Sequence, residues 1–317
     1  MISACLRRHS DRLRASFAGY LPKVFAVAVL GSLAVAVTAS AETTISVDFF
    51  DAGFFTEGGR SSKEDAHTSP ASPITPPGAF ANHHVGLTTG YGGGPTFPDE
   101  VAKNFFVFDM SEYLTALGGP PPGPITAATL KVYMPSVAAN GFDGYLSPSP
   151  SETYVISGVG SKSAAEVMDH YDIAGSGGYY EGSDETSDAL MVFDELASGP
   201  TFGTAVVSAA DNGEYVEIAV TPIGVGYLNF KLTEFLESSG EMFVAFGGTL
   251  TTLDGDSYGD DDPFEEIFAY THPNGVGSPD TSATPPKLEL TFAPEPGGLL
   301  LAAAGLWAIF GRRRRFR

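Results

Sequence analysis

The chain has 317 residues, of which 38 are acidic and only 17 basic, so it is not a basic nucleic-acid-binding protein that would neutralise phosphates. Its 38 glycines and 23 prolines are typical of strands joined by turns and exclude a coiled coil. Residues 42–293 hold 36 of the acids and 7 of the bases, whereas each terminus carries five bases beside an apolar run. The central part, with a net charge of −29, therefore repels anionic surfaces, and the basic ends are typical of segments that meet a membrane.

The amino-terminal 41 residues have the pattern of an export signal. Basic residues precede an uncharged apolar run, Val24–Val37, and Ala39-Ser40-Ala41 follows it. This order predicts a signal helix that is cleaved at the small residues Ala39 and Ala41, because the run is too short for a permanent anchor. Arg7-Arg8 leaves the twin-arginine route open beside the general secretory route. Cys5 is the only cysteine, so the mature chain has no disulfide and no cysteine nucleophile.

Residues 42–293 have the pattern of a single all-β domain. Nine short runs are rich in β-branched and aromatic residues, and turn clusters such as Gly118–Pro124 separate them. These runs predict an antiparallel β-sandwich, jelly-roll-like in its connections. They cover residues 44–50, 104–109, 128–134, 153–156, 204–207, 214–220, 241–246, 265–270 and 287–292.

The remainder of this domain is predicted to contain one short helix and two long loops. Leu228, Leu232, Phe235 and Leu236 recur at helical spacing, and Gly240 ends the pattern, so we expect a helix over 228–240. Residues 56–100 and 139–152 lack alternation and are rich in residues that favour loops.

Two histidines, His83 and His84, lie in the first of these loops. Adjacent side chains on an extended chain point in opposite directions, and the chain has no H-x-x-x-H or C-x-x-C spacing. We therefore expect surface histidines rather than metal ligands. Since G-x-S-x-G is absent as well, we expect no enzyme activity. The tyrosines considered as sugar-stacking candidates are Tyr91, Tyr145, Tyr179 and Tyr180, with Trp307 in the apolar tail.

An acidic loop, Asp254–Glu265, has oxygen ligands near the spacing of a calcium-binding EF-hand. Tyr258 and Pro263 occupy positions that an EF-hand does not allow, because the proline forbids the helix that should follow. Two alternatives remain, a solvated acidic loop, which we favour, and a hairpin loop that holds structural calcium. The calcium ligands would be Asp254, Asp256, Asp260 and Asp262. We expect no other cofactor.

The carboxyl terminus carries the most specific motif of the chain. Pro294-Glu295-Pro296 precedes an apolar run, and a cluster of bases follows, Arg312, Arg313, Arg314 and Arg315. This order resembles the PEP-CTERM sorting signal of Gram-negative bacteria that make extracellular matrix. The resemblance implies recognition by an exosortase, a membrane cysteine transpeptidase or protease, with processing near Pro294–Pro296.

The apolar run of this tail is predicted to be a short transmembrane helix. Its 14 residues, Gly297–Phe310, reach about 21 Å as a helix, against about 30 Å for the hydrocarbon core of a bilayer. A marginal span of this kind is typical of a transient anchor. The four consecutive arginines predict that the tail end stays in the cytoplasm and that the body lies outside.

The body is also similar to a recurrent, uncharacterised module of exported PEP-CTERM and cyanobacterial proteins, and to jelly-roll modules appended to bacterial surface proteins and carbohydrate-active enzymes. Phe105–Ser111 and Ile125–Tyr133 carry this resemblance, which includes no catalytic motif. It implies a surface or carbohydrate-binding role.

Together these patterns predict three segments: a signal peptide at 1–41, an acidic β-sandwich at 42–293 and a sorting signal at 294–317. The expected function is that of an exported, non-catalytic surface or matrix protein. The expected partners are an exosortase, the membrane and extracellular polysaccharide, and no nucleic acid. The alternatives are a polysaccharide-binding module, calcium-dependent in one version, and a secreted hydrolase with an acidic site.

Overall fold

The computed structural model describes residues 42–58, 83–88, 100–136, 144–168, 186–238, 242–253, 265–268 and 284–294. Two compact units partition the chain. One is Thr44–Phe292, and the other consists of Met1–Thr43 and Ala293–Arg317. Nearly all of the described residues belong to Thr44–Phe292, which we call the body.

The described part of the chain forms eleven strands in two sheets, which confirms the prediction of a mostly β, antiparallel fold. The smaller sheet has the order β1-β11-β5-β8, and the larger has the order β10-β3-β4-β9-β6-β7 with β2 paired to β4. The strands are β1 Thr43–Asp48, β2 Asp51–Thr56, β3 Val85–Thr88, β4 Glu100–Asp109, β5 Ile125–Tyr133, β6 Glu152–Ser157, β7 Thr201–Val207, β8 Tyr215–Ala219, β9 Phe243–Leu250, β10 Glu265–Ile267 and β11 Lys287–Phe292.

The four-stranded sheet is apolar on one side and polar on the other. Leu130 of β5 lies opposite Leu288 of β11 and Ile218 of β8, and all three side chains are fully buried. The next residue of β5, Lys131, points to the other side, because successive side chains of a strand alternate. This sheet therefore has one core face and one outer face, as predicted from its alternating sequence.

The larger sheet is covered on both faces along β4. Phe106 and Phe108 join the main core, which also receives the inner side chains of the four-stranded sheet. Phe105 and Val107, which point the other way, join a second apolar cluster. Double coverage explains why β2 and much of β4 are buried without alternation, and why the sequence pattern did not reveal β2.

The described residues also contain four α-helices, so the prediction of a single helix is wrong in number. The helices are α1 Met110–Leu117, α2 Ala164–Met168, α3 Thr186–Glu195 and α4 Pro222–Ser238. The predicted helix over 228–240 corresponds to α4, which begins earlier because Pro222 suits a first helical position. Helix α4 contacts β5 and β7, whereas α2 and α3 contribute to the second apolar cluster.

The predicted loop over 56–100 is wrong in part, because it contains β3, which pairs with both β4 and β10. Of the predicted loop over 139–152, residues 144–151 hold no helix and nothing longer than a single bridge residue, and residue 152 begins β6. Among the described residues, no helix combines the length and the hydropathy that crossing a membrane requires. The predicted signal helix and carboxyl-terminal helix lie outside the described residues.

Candidate functional site

Almost all of the sequence-predicted site residues lie outside the described part of the chain. Pro294 is the exception: it is half-buried and follows β11 closely. The others are the signal-cleavage residues Ala39 and Ala41, the sorting residues Glu295 and Pro296, the basic residues Arg312, Arg313, Arg314 and Arg315, and the candidate calcium ligands Asp254, Asp256, Asp260 and Asp262.

It does contain a buried polar centre that the sequence did not predict, formed by His83, His84, Asn104, Tyr154 and Glu266. His83 is 1% exposed and His84 0%, so the expectation of surface histidines is wrong. The physical reason is the pairing of the adjoining β3 with β4 and β10, which draws the preceding histidines into the interior. A rule based on loop composition could not reveal this, since the partner strands are distant in sequence.

Hydrogen bonds order one half of the polar centre. The hydroxyl of Tyr154 donates to Asn104 Oδ1 at 2.8 Å, and Asn104 Nδ2 donates to the backbone oxygen of His83 at 2.9 Å. Burial raises the pKa of Tyr154 well above its ordinary value, and the bond to Asn104 offsets this only in part. Tyr154 therefore stays protonated and serves as a permanent donor.

The other half of the polar centre pairs a histidine with a carboxylate. His84 Nδ1 lies 3.5 Å from Glu266 Oε1, with both side chains almost fully buried. The ring of Phe54 is 4.0 Å from the ring of His84 by centroids, and His83 lies against Phe106. Aromatic side chains therefore enclose the polar groups and keep them from the surface.

The polar centre links strands instead of presenting a reactive group to solvent. Asn104 connects β4 with the residues before β3, and Tyr154 connects β6 with β4. Within the described ranges, no three His, Cys, Asp or Glu side chains converge in a way that could hold a metal ion. The geometry of the polar centre supports a structural role, because buried polar groups that have hydrogen-bond partners help a core to adopt one specific arrangement.

A second buried carboxylate fastens the segment before β6. Glu152 is 1% exposed, and its two oxygens accept hydrogen bonds from the hydroxyls of Ser147 and Thr252. In the same segment Tyr145 donates to the backbone oxygen of Ser149 at 2.8 Å and is buried. Tyr145 is thus unsuited to stacking on a sugar. The other stacking candidates, Tyr91, Tyr179, Tyr180 and Trp307, lie outside the described residues.

An accessible surface with ordered polar groups is formed by the outer face of the four-stranded sheet. We use "outer face" for the side chains of these four strands that point away from the core. They are Thr44, Ser46 and Asp48 of β1, Lys287, Glu289 and Thr291 of β11, Ala127, Thr129, Lys131 and Tyr133 of β5, and Tyr215, Glu217 and Ala219 of β8.

Charged side chains on the outer face neutralise one another. Lys131 Nζ lies 2.9 Å from Glu217 Oε1 and 3.0 Å from Glu289 Oε1, and Lys287 Nζ lies 3.5 Å from Asp48 Oδ1. The hydrogen bond to Glu217, followed by that to Glu289, raises the pKa of Lys131. This lysine therefore keeps its charge over the whole physiological pH range.

Two tyrosines occupy one end of the outer face. Tyr133 and Tyr215 are directly opposite each other on β5 and β8, with ring centroids 5.4 Å apart and planes at 66°. The hydroxyl of Tyr215 donates to the backbone oxygen of Pro285 at 3.1 Å. Burial raises the pKa of Tyr215, as do the nearby Asp48 and Tyr133, so the hydroxyl remains a donor. The sequence could have revealed this pair, because the alternation of apolar and polar residues in β5 and β8 places both tyrosines on the side of the sheet that faces away from the core.

Neither a comparison with protein-family models nor a search of curated proteins finds a match for this chain. The class that its described residues define is an antiparallel two-sheet β protein with a buried polar centre and an ordered, charge-balanced outer face.

Proposed function

We propose that this chain is an exported, non-catalytic protein of the Gram-negative cell surface or extracellular matrix, sorted by an exosortase through its carboxyl-terminal tail. The observation that carries the proposal is the order of Pro294-Glu295-Pro296, an apolar run and four arginines at the end of the sequence. The compact body ends at Phe292, so this signal follows the folded part directly. The tail would hold the protein transiently in the inner membrane until it is processed.

The character of the body supports the same role. Strands β1 and β11 are neighbours although they lie at opposite ends of the body, an arrangement typical of the jelly-roll-like sandwich that we infer. Its polar centre is enclosed, and the charges of its outer face are paired, which suits a stable cargo better than a reaction site. A body of about 250 residues can bury enough apolar surface to be stable without disulfides.

The experiment that tests this proposal replaces Pro294-Glu295-Pro296 by three alanines in a bacterium that has an exosortase. We expect the original chain to mature to a species cut at Ala41 and near Pro294–Pro296, and the variant to keep its tail. Intact mass spectrometry of the exported and membrane fractions measures both products. The variant would retain an apolar segment and a charged segment that the processed original chain has lost, so the masses of the two products differ clearly.

A matched control replaces another run of prolines, Pro120-Pro121-Pro122, which lies in the turn before β5. This control should mature as the original chain does. If the variant at Pro294–Pro296 matured to the same mass as the original chain, the sorting proposal would be wrong.

A further inference from the structure

We propose that the outer face of the four-stranded sheet binds an uncharged polysaccharide, with Tyr133 and Tyr215 as stacking residues and Lys131, Glu217 and Glu289 as hydrogen-bonding residues. This inference concerns what the body does after export and does not depend on the sorting proposal. It is carried by three properties of the outer face: fixed aromatic rings, a cluster of donors and acceptors, and balanced charge.

The aromatic rings are held in place before any ligand arrives. Tyr215 starts on β8, and its hydroxyl reaches Pro285 just before β11, so its side chain crosses over β5. Tyr133 packs against it at 5.4 Å, and both rings remain half-buried. Rings that are already ordered lose little conformational entropy on binding. Each combines an apolar face with a polar edge, which matches the C–H and hydroxyl groups of a sugar ring.

Next to the tyrosines, charged side chains from three strands form a cluster. Lys131 of β5 stands between Glu217 of β8 and Glu289 of β11, so one donor is flanked by two acceptors. Glu217 is directly opposite Lys131, whereas Glu289 is opposite Thr129 and meets Lys131 diagonally. A hydroxyl both donates and accepts, and adjacent hydroxyls on a sugar ring can therefore bond to the ammonium and the carboxylates together.

The nearly neutral charge of the outer face favours uncharged polymers over charged ones. Two lysines, Lys131 and Lys287, stand against three carboxylates, Asp48, Glu217 and Glu289, so the outer face is almost neutral. The remainder of residues 42–293 is strongly acidic and repels polyanions. A basic peptide would be drawn to the more acidic parts of the body instead. Apart from Tyr133 and Tyr215, the outer face has no large apolar side chain.

Affinity electrophoresis of the full chain, kept in a polyoxyethylene detergent that has no sugar headgroup, tests this proposal. The gels contain hydroxyethylcellulose, galactomannan or laminarin as uncharged polymers, and alginate as a charged one. We expect at least one uncharged polymer to retard the chain and alginate to have no effect. The Tyr215→Ala variant should bind about tenfold more weakly, since one stacked ring contributes on the order of a tenfold change in affinity.

Matched variants separate loss of binding from loss of fold. Phe230→Ala removes an exposed aromatic ring on α4, away from this sheet face, and should bind as the original chain does. If Tyr215→Ala lowers the unfolding temperature strongly, Glu217→Gln decides instead, because this side chain is 61% exposed. We expect Glu217→Gln to weaken binding about threefold through one weakened hydrogen bond.

Three results would overturn the proposal: no retardation by any of the three uncharged polymers, retardation by alginate alone, or equal affinities for the original chain and for folded Tyr215→Ala and Glu217→Gln. The variant with alanines at Pro294–Pro296 leaves the outer face intact and should bind normally. A failure of sorting and a failure of binding are thus observed separately.

Discussion

At the scale of single residues, the hydroxyl of Tyr154 links two strands through one hydrogen bond to Asn104 Oδ1. Tyr154→Phe removes this donor and leaves a buried acceptor without it. We expect the free energy of unfolding to fall by about 1–3 kcal/mol, the usual cost of such a loss. Urea denaturation measures this change, and an unchanged m-value would indicate that the unfolded state is unaffected.

Tyr133→Phe is the matched control for this variant, because it removes the same atom from a half-buried ring on the outer face. Its unfolding free energy should change by no more than about 0.5 kcal/mol, as for most surface substitutions. Equal effects of the two variants would contradict a special role for the bond between Tyr154 and Asn104.

Two adjacent glycines after α1 offer a second residue-scale test. Gly118 has φ of 72°, and its N–H bonds back to the last turn of the helix, whereas Gly119 is not in the left-handed region. A methyl group at either position would meet nothing within 4 Å. We therefore expect Gly118→Ala to lower the unfolding free energy by about 1 kcal/mol through backbone strain alone, measured by thermal and chemical denaturation. Gly119→Ala should have almost no effect, and similar costs for both would disprove the strain argument.

At the scale of elements, one asparagine attaches helix α4 to the sheet. Asn229 Oδ1 accepts from the backbone N–H of Ile125 at 2.8 Å, and Asn229 Nδ2 donates to the oxygen of the same residue at 2.9 Å. The side chain thereby imitates a neighbouring strand at the start of β5. Asn229→Ala should lower the unfolding free energy by about 1–3 kcal/mol, because both hydrogen bonds to Ile125 are lost together with the one that Asn229 Nδ2 donates to the backbone oxygen of Val225.

The same helix supplies the control for this variant. Thr233→Ala removes only the hydrogen bond from an exposed hydroxyl to the oxygen of Asn229, which is made within the helix. Denaturation should show a change of less than about 0.5 kcal/mol. If Asn229→Ala costs no more than Thr233→Ala, the amide does not hold α4 on β5.

A glutamate at the end of α3 gives an expectation for pH dependence. Glu195 accepts hydrogen bonds from the N–H and the hydroxyl of Ser161 and from the hydroxyl of Ser198, each at 2.9 Å. The bond from the Ser161 N–H is the largest cause that lowers the pKa of Glu195 from its ordinary 4.5. A lowered folded-state pKa stabilises the protein above the ordinary value, and this contribution disappears as pH falls through the folded-state pKa.

We therefore expect Glu195→Gln to unfold at a lower temperature than the original chain at pH 7, with the difference shrinking as pH falls below 4.5. Thermal unfolding at several pH values measures this. Glu214→Gln, which alters an exposed side chain just before β8, is the control. A difference that did not shrink at all as pH falls below 4.5 would show that the carboxylate charge is not the cause.

The elements also show where sequence patterns succeed. Alternation revealed β5, β8 and β11, because each of them has one buried side and one accessible side. It failed for β2, which is buried at every position, and for the four-residue β3, whose Gly86 interrupts any pattern. Helix α1 was missed although Asp109 caps its start and Gly118 ends it, because its eight residues continue directly from β4.

At the scale of the whole molecule, the two-sheet architecture could be predicted, but the polar centre and the contacts between side chains on the outer face could not. Local sequence patterns predict that a segment forms a strand, but they do not identify the strand with which it pairs. The burial of His84 depends on Glu266, which is distant in sequence, and the crossing of Tyr215 over β5 depends on where β11 inserts. The sorting residues and the candidate calcium ligands were predicted from their order alone and stay predictions.

The neighbouring positions of β1 and β11 have a consequence for the timing of folding. Thr44 and Thr291 are joined by a hydrogen bond between their hydroxyls, and β11 lies between β1 and β5 in the sheet. A chain that is threaded through a membrane from its amino end therefore cannot close this sheet until residue 292 has emerged. In the sorting scheme proposed above, the Pro-Glu-Pro triplet would emerge directly after β11, the last strand of the body. Cleavage by the protease would therefore release folded molecules in preference to incompletely folded ones.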